Sequence, residues 1–309
     1  DVMKTESVLE RMFKAGHLAV TSECGPPRGA QPEKVREKAE MLRGCVDAVN
    51  VTDNQTAMVR MSSLTACIVI RQMGLHPVLQ MVTRDRNRLA LQSDLLGAYA
   101  FDINTMLCLS GDHPHFGDHP MAANVYDLDS VQFIQTVRAM REQGVFQGGQ
   151  PIANPPKMFI GAAANPFADP FELRVRRLAK KVEAGADFIQ TQCIYNLDKF
   201  EAWMEGVCQR GLHKQVYIMA GITPLKSAGM ARYMQKKVPG MDVPDELVQR
   251  LAALPKDRQA EEGIAIAVEA MERLKKVEGV RGFHIMAIEW EHRVPEIVRR
   301  AGLYPRPAV

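Results

Sequence analysis

The amino-acid sequence predicts an α/β chain folded as a TIM (β/α)8 barrel, with an extra N-terminal helix and a helical insertion before the last strand. Three observations predict it. About eight short apolar runs alternate with segments of helical period, joined by short links. No linker or low-complexity tract divides the 309 residues, so residues 1–309 read as one domain. The apolar runs end in polar residues, as parallel strands do where a barrel binds its ligands.

Taken in order, residues 2–14 place Val8, Leu9, Met12 and Phe13 on one face, suited to a helix that plugs the bottom of a barrel. The run LAVTSEC after His17 is the first strand; it ends at Glu23 and is broken by Gly25-Pro26-Pro27. Residues 32–43 form a charged helix, residues 48–52 the second strand closing on Asp53-Asn54, and residues 61–73 the next helix. The most explicit βαβ unit follows. Apolar runs at 76–82 and 105–109 flank a segment in which Leu89, Leu95, Leu96 and Ala100 keep an approximate helical period, with Asn87 as its cap. Residues 112–124 are a His- and Pro-rich loop, too irregular for secondary structure and long enough to be functional.

Residues 127–143 read as a helix with Leu128, Val131, Ile134 and Val137 inward and Phe133 at its edge. A Gly-rich connection leads to a fifth strand at 157–162, ending in Ala163-Ala164-Asn165-Pro166, and to a helix at 170–184. The sixth strand is 188–192 and its helix 197–210; the seventh strand is 216–220, with the helix 227–236 behind it. Residues 239–279 carry two inserted helices. The last strand spans 282–288 and ends at Glu289, and the helix 294–301 closes the chain.

Composition narrows the partners. A net charge of +3, spread along the chain, gives no footprint for nucleic acid or anionic lipid, so a small-molecule ligand is expected. No run approaches the roughly 18 apolar residues of a membrane span. Asp1 to Phe13 is charged and amphipathic, unlike a signal peptide, and a cytoplasmic location is expected. The six cysteines lie far apart without a CxxC pair and read as buried thiols, so no metal or iron-sulfur site from this chain's cysteines is expected. His113, His115 and His119 share one loop without helical i, i+4 spacing, a weak metal signal, and no metal is assigned.

The strand ends would deliver Glu23, Thr52, Asp53, Asp85, Asp112, Asn165, Gln192 and Glu289 to one mouth. Polar residues end strands for turn chemistry alone, so each of these has a structural reading as well. Glu23 stands out, because the constrained Cys24-Gly25-Pro26-Pro27 turn holds it among small apolar residues, where a carboxylic acid can serve as general acid. Asp112 follows Gly111, which lets the backbone approach a ligand closely. Two basic clusters, Arg84, Arg86, Arg88 and Arg174, Arg176, Arg177, Lys180, Lys181, are candidates for phosphate contacts, with solvated helix faces as the plainer alternative. GxGxxG and Walker patterns are absent, so a nucleotide here is not held in a Rossmann or P-loop manner.

The succession VTSECGPP, VNVTDN, DRNRLALQSDLLGA, LCLSGDHP, KKVEAGADFIQTQ and AGITPL resembles the methylenetetrahydrofolate reductase family over nearly the whole chain. The resemblance implies a flavin, usually FAD, at the C-terminal mouth of the barrel, and reduction of 5,10-methylenetetrahydrofolate to 5-methyltetrahydrofolate. By motif, Glu23 matches the family's general acid and Asp112 the aspartate beside the flavin. Gln192 resembles the pterin-binding amide, and Thr52, Ser110, Gly111, Lys180 and Lys181 fall at flavin-contacting positions. Gln80, Ser110 and Ala163 replace the histidine, arginine and tyrosine of many members, which leaves FMN open as an alternative to FAD. Met230 and Met234 stand where NADH-using members place a glutamine and a nicotinamide-stacking phenylalanine, and methionine offers no aromatic face. The pattern is nearer to the acetogenic-type reductases, whose barrel subunit receives electrons from an iron-sulfur partner subunit; an oligomer is also expected. Two alternatives stay open: a flavin-free pterin-binding barrel for methyl transfer, and a non-catalytic folate-binding subunit.

Overall fold

The computed structural model describes residues 2–309; Asp1, the first residue of the charged N-terminal segment, lies outside the described residues. Eight strands run β1 (Ala19–Cys24), β2 (Ala48–Val51), β3 (Pro77–Val82), β4 (Thr105–Leu109), β5 (Phe159–Ala164), β6 (Phe188–Cys193), β7 (Tyr217–Ile222) and β8 (Val280–Ile285). All neighbours pair in parallel and β8 returns to β1, with Thr21 opposite His284, so the sheet closes into a barrel. The helices are α1 (Val8–Lys14), α2 (Pro32–Leu42), α3 (Ser63–Gln72), α4 (Arg88–Ala100), α5 (Ser130–Glu142) and α6 (Leu173–Ala184). They continue as α7 (Leu197–Gln209), α8 (Ala228–Lys237), the inserted α9 (Asp245–Ala252) and α10 (Lys256–Leu274), and α11 (Val294–Arg300). Among the described residues no helix is long and apolar enough to cross a membrane.

Strand alternation sends every second side chain into the barrel. At the N-terminal end these are Ala19, Ala48, Val78, Leu107, Phe159, Phe188 and Met219, and Leu9, Met12 and Phe13 of α1 pack beneath them. The plug expected from the N-terminal pattern is therefore present, starting six residues later than the pattern suggests because Ser7 caps the helix through the Leu9 N–H. Phe13 stacks on Tyr217 with ring centroids 4.4 Å apart. The opposite faces of the strands meet the helices in a second, larger core that takes in Cys24, Cys67 and Cys108. Burial pushes the Cys24 thiol up to about 12.

Three buried aspartates pin strands to the frame. Asp47 accepts the Val20 N–H at 2.7 Å and pairs with Arg306; Asp53 accepts the Val82 N–H at 2.9 Å and pairs with Arg86. Asp187 accepts the Ile160 N–H at 2.9 Å and pairs with Arg141. Asp53, expected among the residues of the mouth, is thus engaged in holding β3.

Several boundaries and faces differ from the pattern. β5 continues through Ala163 and Ala164, which pair with Gln190 and Thr191 of β6; small residues hide a strand from a hydrophobicity reading. β8 starts earlier and stops at Ile285, because its ladder ends where β7 does at Ile222. Glu289 consequently sits in a turn at φ 52° and pairs with Lys38 at 3.0 Å. Asn87 caps α4 as expected, accepting from the Ala90 N–H, but this start turns Leu91, Leu95 and Ala98 inward and leaves Leu89 75% exposed. In α5 the stripe Phe133, Val137, Met140 at i, i+4, i+7 faces the core, so Phe133 is central and Val131 only half-buried. The His- and Pro-rich loop holds one short turn, Pro114–Phe116.

Candidate active site

The C-terminal mouth opens into a cavity of about 730 Å³. Its floor is the barrel interior above the apolar layer, with Glu23, Gln80, Gln190 and His284 side by side; Leu107 and Leu109 supply an apolar wall. Ser110 and Val131 close one flank, and Ala163, Asn165, Gln192 and Met286 another. Arg174, Arg177, Lys180 and Lys181 of α6 line the outer side, facing Asp129 and Ser130 at the start of α5.

Glu23 is an interior residue of β1, one place before its end, and keeps 20% of its side chain accessible. Its Oε1 lies 3.2 Å from His284 Nε2. His284 Nδ1 lies 2.8 Å from the Thr21 hydroxyl, which accepts from Gln190 Nε2 at 3.1 Å. Gln190 and Asn50 join side chain to side chain, Asn50 Nδ2 donating at 2.7 Å and Gln190 Nε2 donating back at 3.1 Å. Thr21, Asn50, Gln190 and His284 are all buried, so this chain of polar groups is satisfied internally, as burial requires.

The two basic clusters have different fates. Arg84 pairs with Asp85, Arg86 with Asp53 and Arg88 with Asp127, each at 2.7 Å, so the first is neutralised by its own carboxylates. The second turns one face of α6 to the cavity at positions 174, 177 and 181. Lys181 Nζ donates to the Ala163 carbonyl at 2.5 Å; burial, reinforced by Arg177, lowers its pKa.

Of the residues singled out in the sequence, the cavity collects Glu23, Gln80, Ser110, Ala163, Asn165, Arg174, Arg177, Lys180, Lys181 and Gln192. Others stand outside its lining. The Thr52 hydroxyl is spent on Gln55 Oε1 at 2.7 Å. Gly111 has φ +88°, and a Cβ there would come within 2.9 Å of Val82 Cβ, so contact with its own barrel already demands glycine. Asp112 is exposed on the loop after β4, its carbonyl accepting from Arg84 at 3.0 Å. Met230 and Met234 pack half-buried against the α8–α9 cluster around Leu225, Val248 and Leu251. In the His-rich loop, His113 meets Asn124 and His119 meets Asp118. Among the described residues, Cys208, His213 and Glu278 bring potential metal-ligating atoms within 4.8 Å of one another, before β7 and β8 at the far end of the barrel.

No motif in the sequence singles out Thr21, Asn50, Gln190 or His284. Three of them carry a local signal, since Thr21, Asn50 and Gln190 lie two places before Glu23, Thr52 and Gln192. His284 has no such marker.

The model of the methylenetetrahydrofolate reductase family matches residues 8–302. The chain belongs to that family. Similar sequences include methylenetetrahydrofolate reductase 2 of Schizosaccharomyces pombe, 30% identical over 224 residues, 67% of this chain and 32% of the relative. Methylenetetrahydrofolate reductase (NADH) 1 of Arabidopsis thaliana is 26% identical over 209 residues, 65% of this chain and 34% of that protein. The chain thus spans about a third of the length of these reductases. Among solved structures, an uncharacterized Clostridium thermocellum protein that binds two copies of 5-methyl-5,6,7,8-tetrahydrofolic acid superposes with a TM-score of 0.65. That match covers 95% of this chain and 97% of the other at 12% identity, a likeness of fold.

Proposed function

We propose that this chain, with a flavin bound in the barrel mouth, reduces 5,10-methylenetetrahydrofolate to 5-methyltetrahydrofolate. The observation that carries the reading is the convergence of Glu23, Gln192, Lys180 and Lys181 in one cavity, at positions that match the motifs of the methylenetetrahydrofolate reductase family. The reduced folate bound by the Clostridium thermocellum barrel supports this substrate class.

The residues fit a flavin nucleotide. Leu107, Leu109 and Val131 offer apolar contact to a flat ring, Gln80 and Ser110 hydrogen bonds to its polar edge, and the cations of α6 with the N-terminus of α5 a place for phosphate. FAD follows the family, with FMN as the alternative; bound there, the flavin supplies the hydride. Glu23 protonates N10 of the folate's five-membered ring, the bond from N10 to the methylene carbon breaks, and an N5 iminium cation forms. Hydride at the methylene carbon completes the N5-methyl group. Gln192 holds the pterin, and the family match gives Asp112, on the loop after β4 outside the cavity lining, the role of fixed negative charge towards the cation.

Glu23→Gln tests the reading. The variant should bind flavin like the parent and lose about 10²-fold or more in reduction of 5,10-methylenetetrahydrofolate. Unchanged turnover would remove Glu23 from the chemistry, and a protein that stays colourless when flavin is added would favour the flavin-free methyl-transfer barrel.

A further inference from the structure

We propose that His284 is the positioning residue of Glu23: a neutral imidazole, held as its Nε2–H tautomer by Thr21, donates to one carboxylate oxygen and leaves the other to carry the transferable proton into the cavity. This rests on the reading of Glu23 as general acid. The direction of the chain follows from its donors. Both hydrogens of the Gln190 amide nitrogen are used, one on Asn50 Oδ1 and one on Thr21 Oγ1, each at 3.1 Å. The Thr21 oxygen is therefore an acceptor on that side, and among the described residues its own hydrogen has no acceptor but His284 Nδ1, 2.8 Å away. A ring that accepts at Nδ1 carries its hydrogen at Nε2, which points at Glu23 Oε1 over 3.2 Å. The opposite tautomer would turn a bare nitrogen towards the carboxylate left after proton transfer.

The same chain limits what His284 can do. Below Gln190 it ends in the Asn50 amide, which neither gives nor takes a proton near neutral pH, and then in the apolar layer of Ala19, Ala48 and Val78. No proton can be fed to Glu23 from underneath. The carboxyl group is recharged from the cavity, and His284 fixes which oxygen is available for it. Register makes this arrangement: Thr21 and Glu23 are successive inward residues of β1, and His284 lies opposite Thr21 on β8.

The test joins a spectroscopic and a kinetic measurement on the full chain. Long-range 1H–15N correlation of the histidine-labelled, flavin-free protein, with His284→Gln assigning the signal, should show His284 protonated at Nε2 alone; Thr21→Val should release that preference and Thr21→Ser keep it. For kinetics, the chain is loaded with flavin, reduced with dithionite and mixed anaerobically with 5,10-methylenetetrahydrofolate. Thr21→Val and His284→Leu should slow flavin reoxidation between about ten- and a hundredfold. His284→Gln should recover part of the loss, because its amide nitrogen can still donate to Glu23, and flavin affinity and reduction by dithionite should not change. An Nδ1–H tautomer in the parent, or parental reoxidation in Thr21→Val, overturns the proposal even if His284→Leu fails to fold. A parent that folate does not reoxidise overturns the reading of Glu23 instead, and the tautomer still judges His284.

Discussion

Whether a cationic side chain here is structural or available is decided by the partner within reach. Arg88 is held by Asp127 at 2.7 Å and has its charge matched. Lys181 is half-buried with a carbonyl oxygen as its contact, and desolvation together with Arg177 pulls its pKa down. A lysine so placed gains by meeting an anion, and the flavin phosphate is the anion the family pattern supplies. Lys181→Met should weaken flavin binding by about tenfold or more, the worth of a charge-assisted hydrogen bond, in a fluorescence titration. Arg88→Met should leave that affinity unchanged. Equal affinity in both variants would take Lys181 out of the flavin site.

At the scale of elements, a buried charge ties α1 to the segment that leads into it. Glu10 on α1 is 1% exposed; burial works against its charge, but the N–H groups of Lys4 (2.7 Å) and Thr5 (2.8 Å), the Thr5 hydroxyl (2.7 Å) and Lys14 (3.3 Å) outweigh it. The carboxyl therefore titrates below its ordinary value of 4.5. A carboxyl depressed in the folded state stabilises fully above its unfolded value, and that contribution is lost as pH falls through the folded value. Melting temperature should accordingly decline for the parent as pH drops below about 4.5. Glu10→Gln should start lower at neutral pH and show a shallower decline. Parallel pH profiles for the two proteins would show that Glu10 does not secure the plug.

For the molecule as a whole, the distribution of groups around the mouth bears on where electrons come from. Cations line the α6 side, while α8 keeps Met230 and Met234 in its own packing with α9 and sends neither to the cavity lining. A nicotinamide would find no aromatic face from these two positions. The flavin-loaded chain should therefore be reduced rapidly by a reduced viologen dye and slowly by NADH, as expected for a barrel that takes electrons from an iron-sulfur partner. Rapid reduction by NADH alone, followed at the flavin absorbance band, would overturn this.

The barrel is legible along the chain, because alternation of apolar runs and amphipathic segments is a local property that each stretch carries independently. So are the plug of α1, the two inserted helices and the position of Glu23 at the barrel mouth, since motif order along the chain follows strand order around the barrel. Which polar residues share the cavity follows from long-range packing. Asp53 was claimed by a strand N–H and Arg86, Glu289 by Lys38, and Gly111 by contact with Val82. His284 stands 261 residues from Glu23 and reaches it through closure of β8 onto β1, a pairing that no local pattern encodes. Strand periodicity says which residues face inward; barrel closure and register say which of them touch.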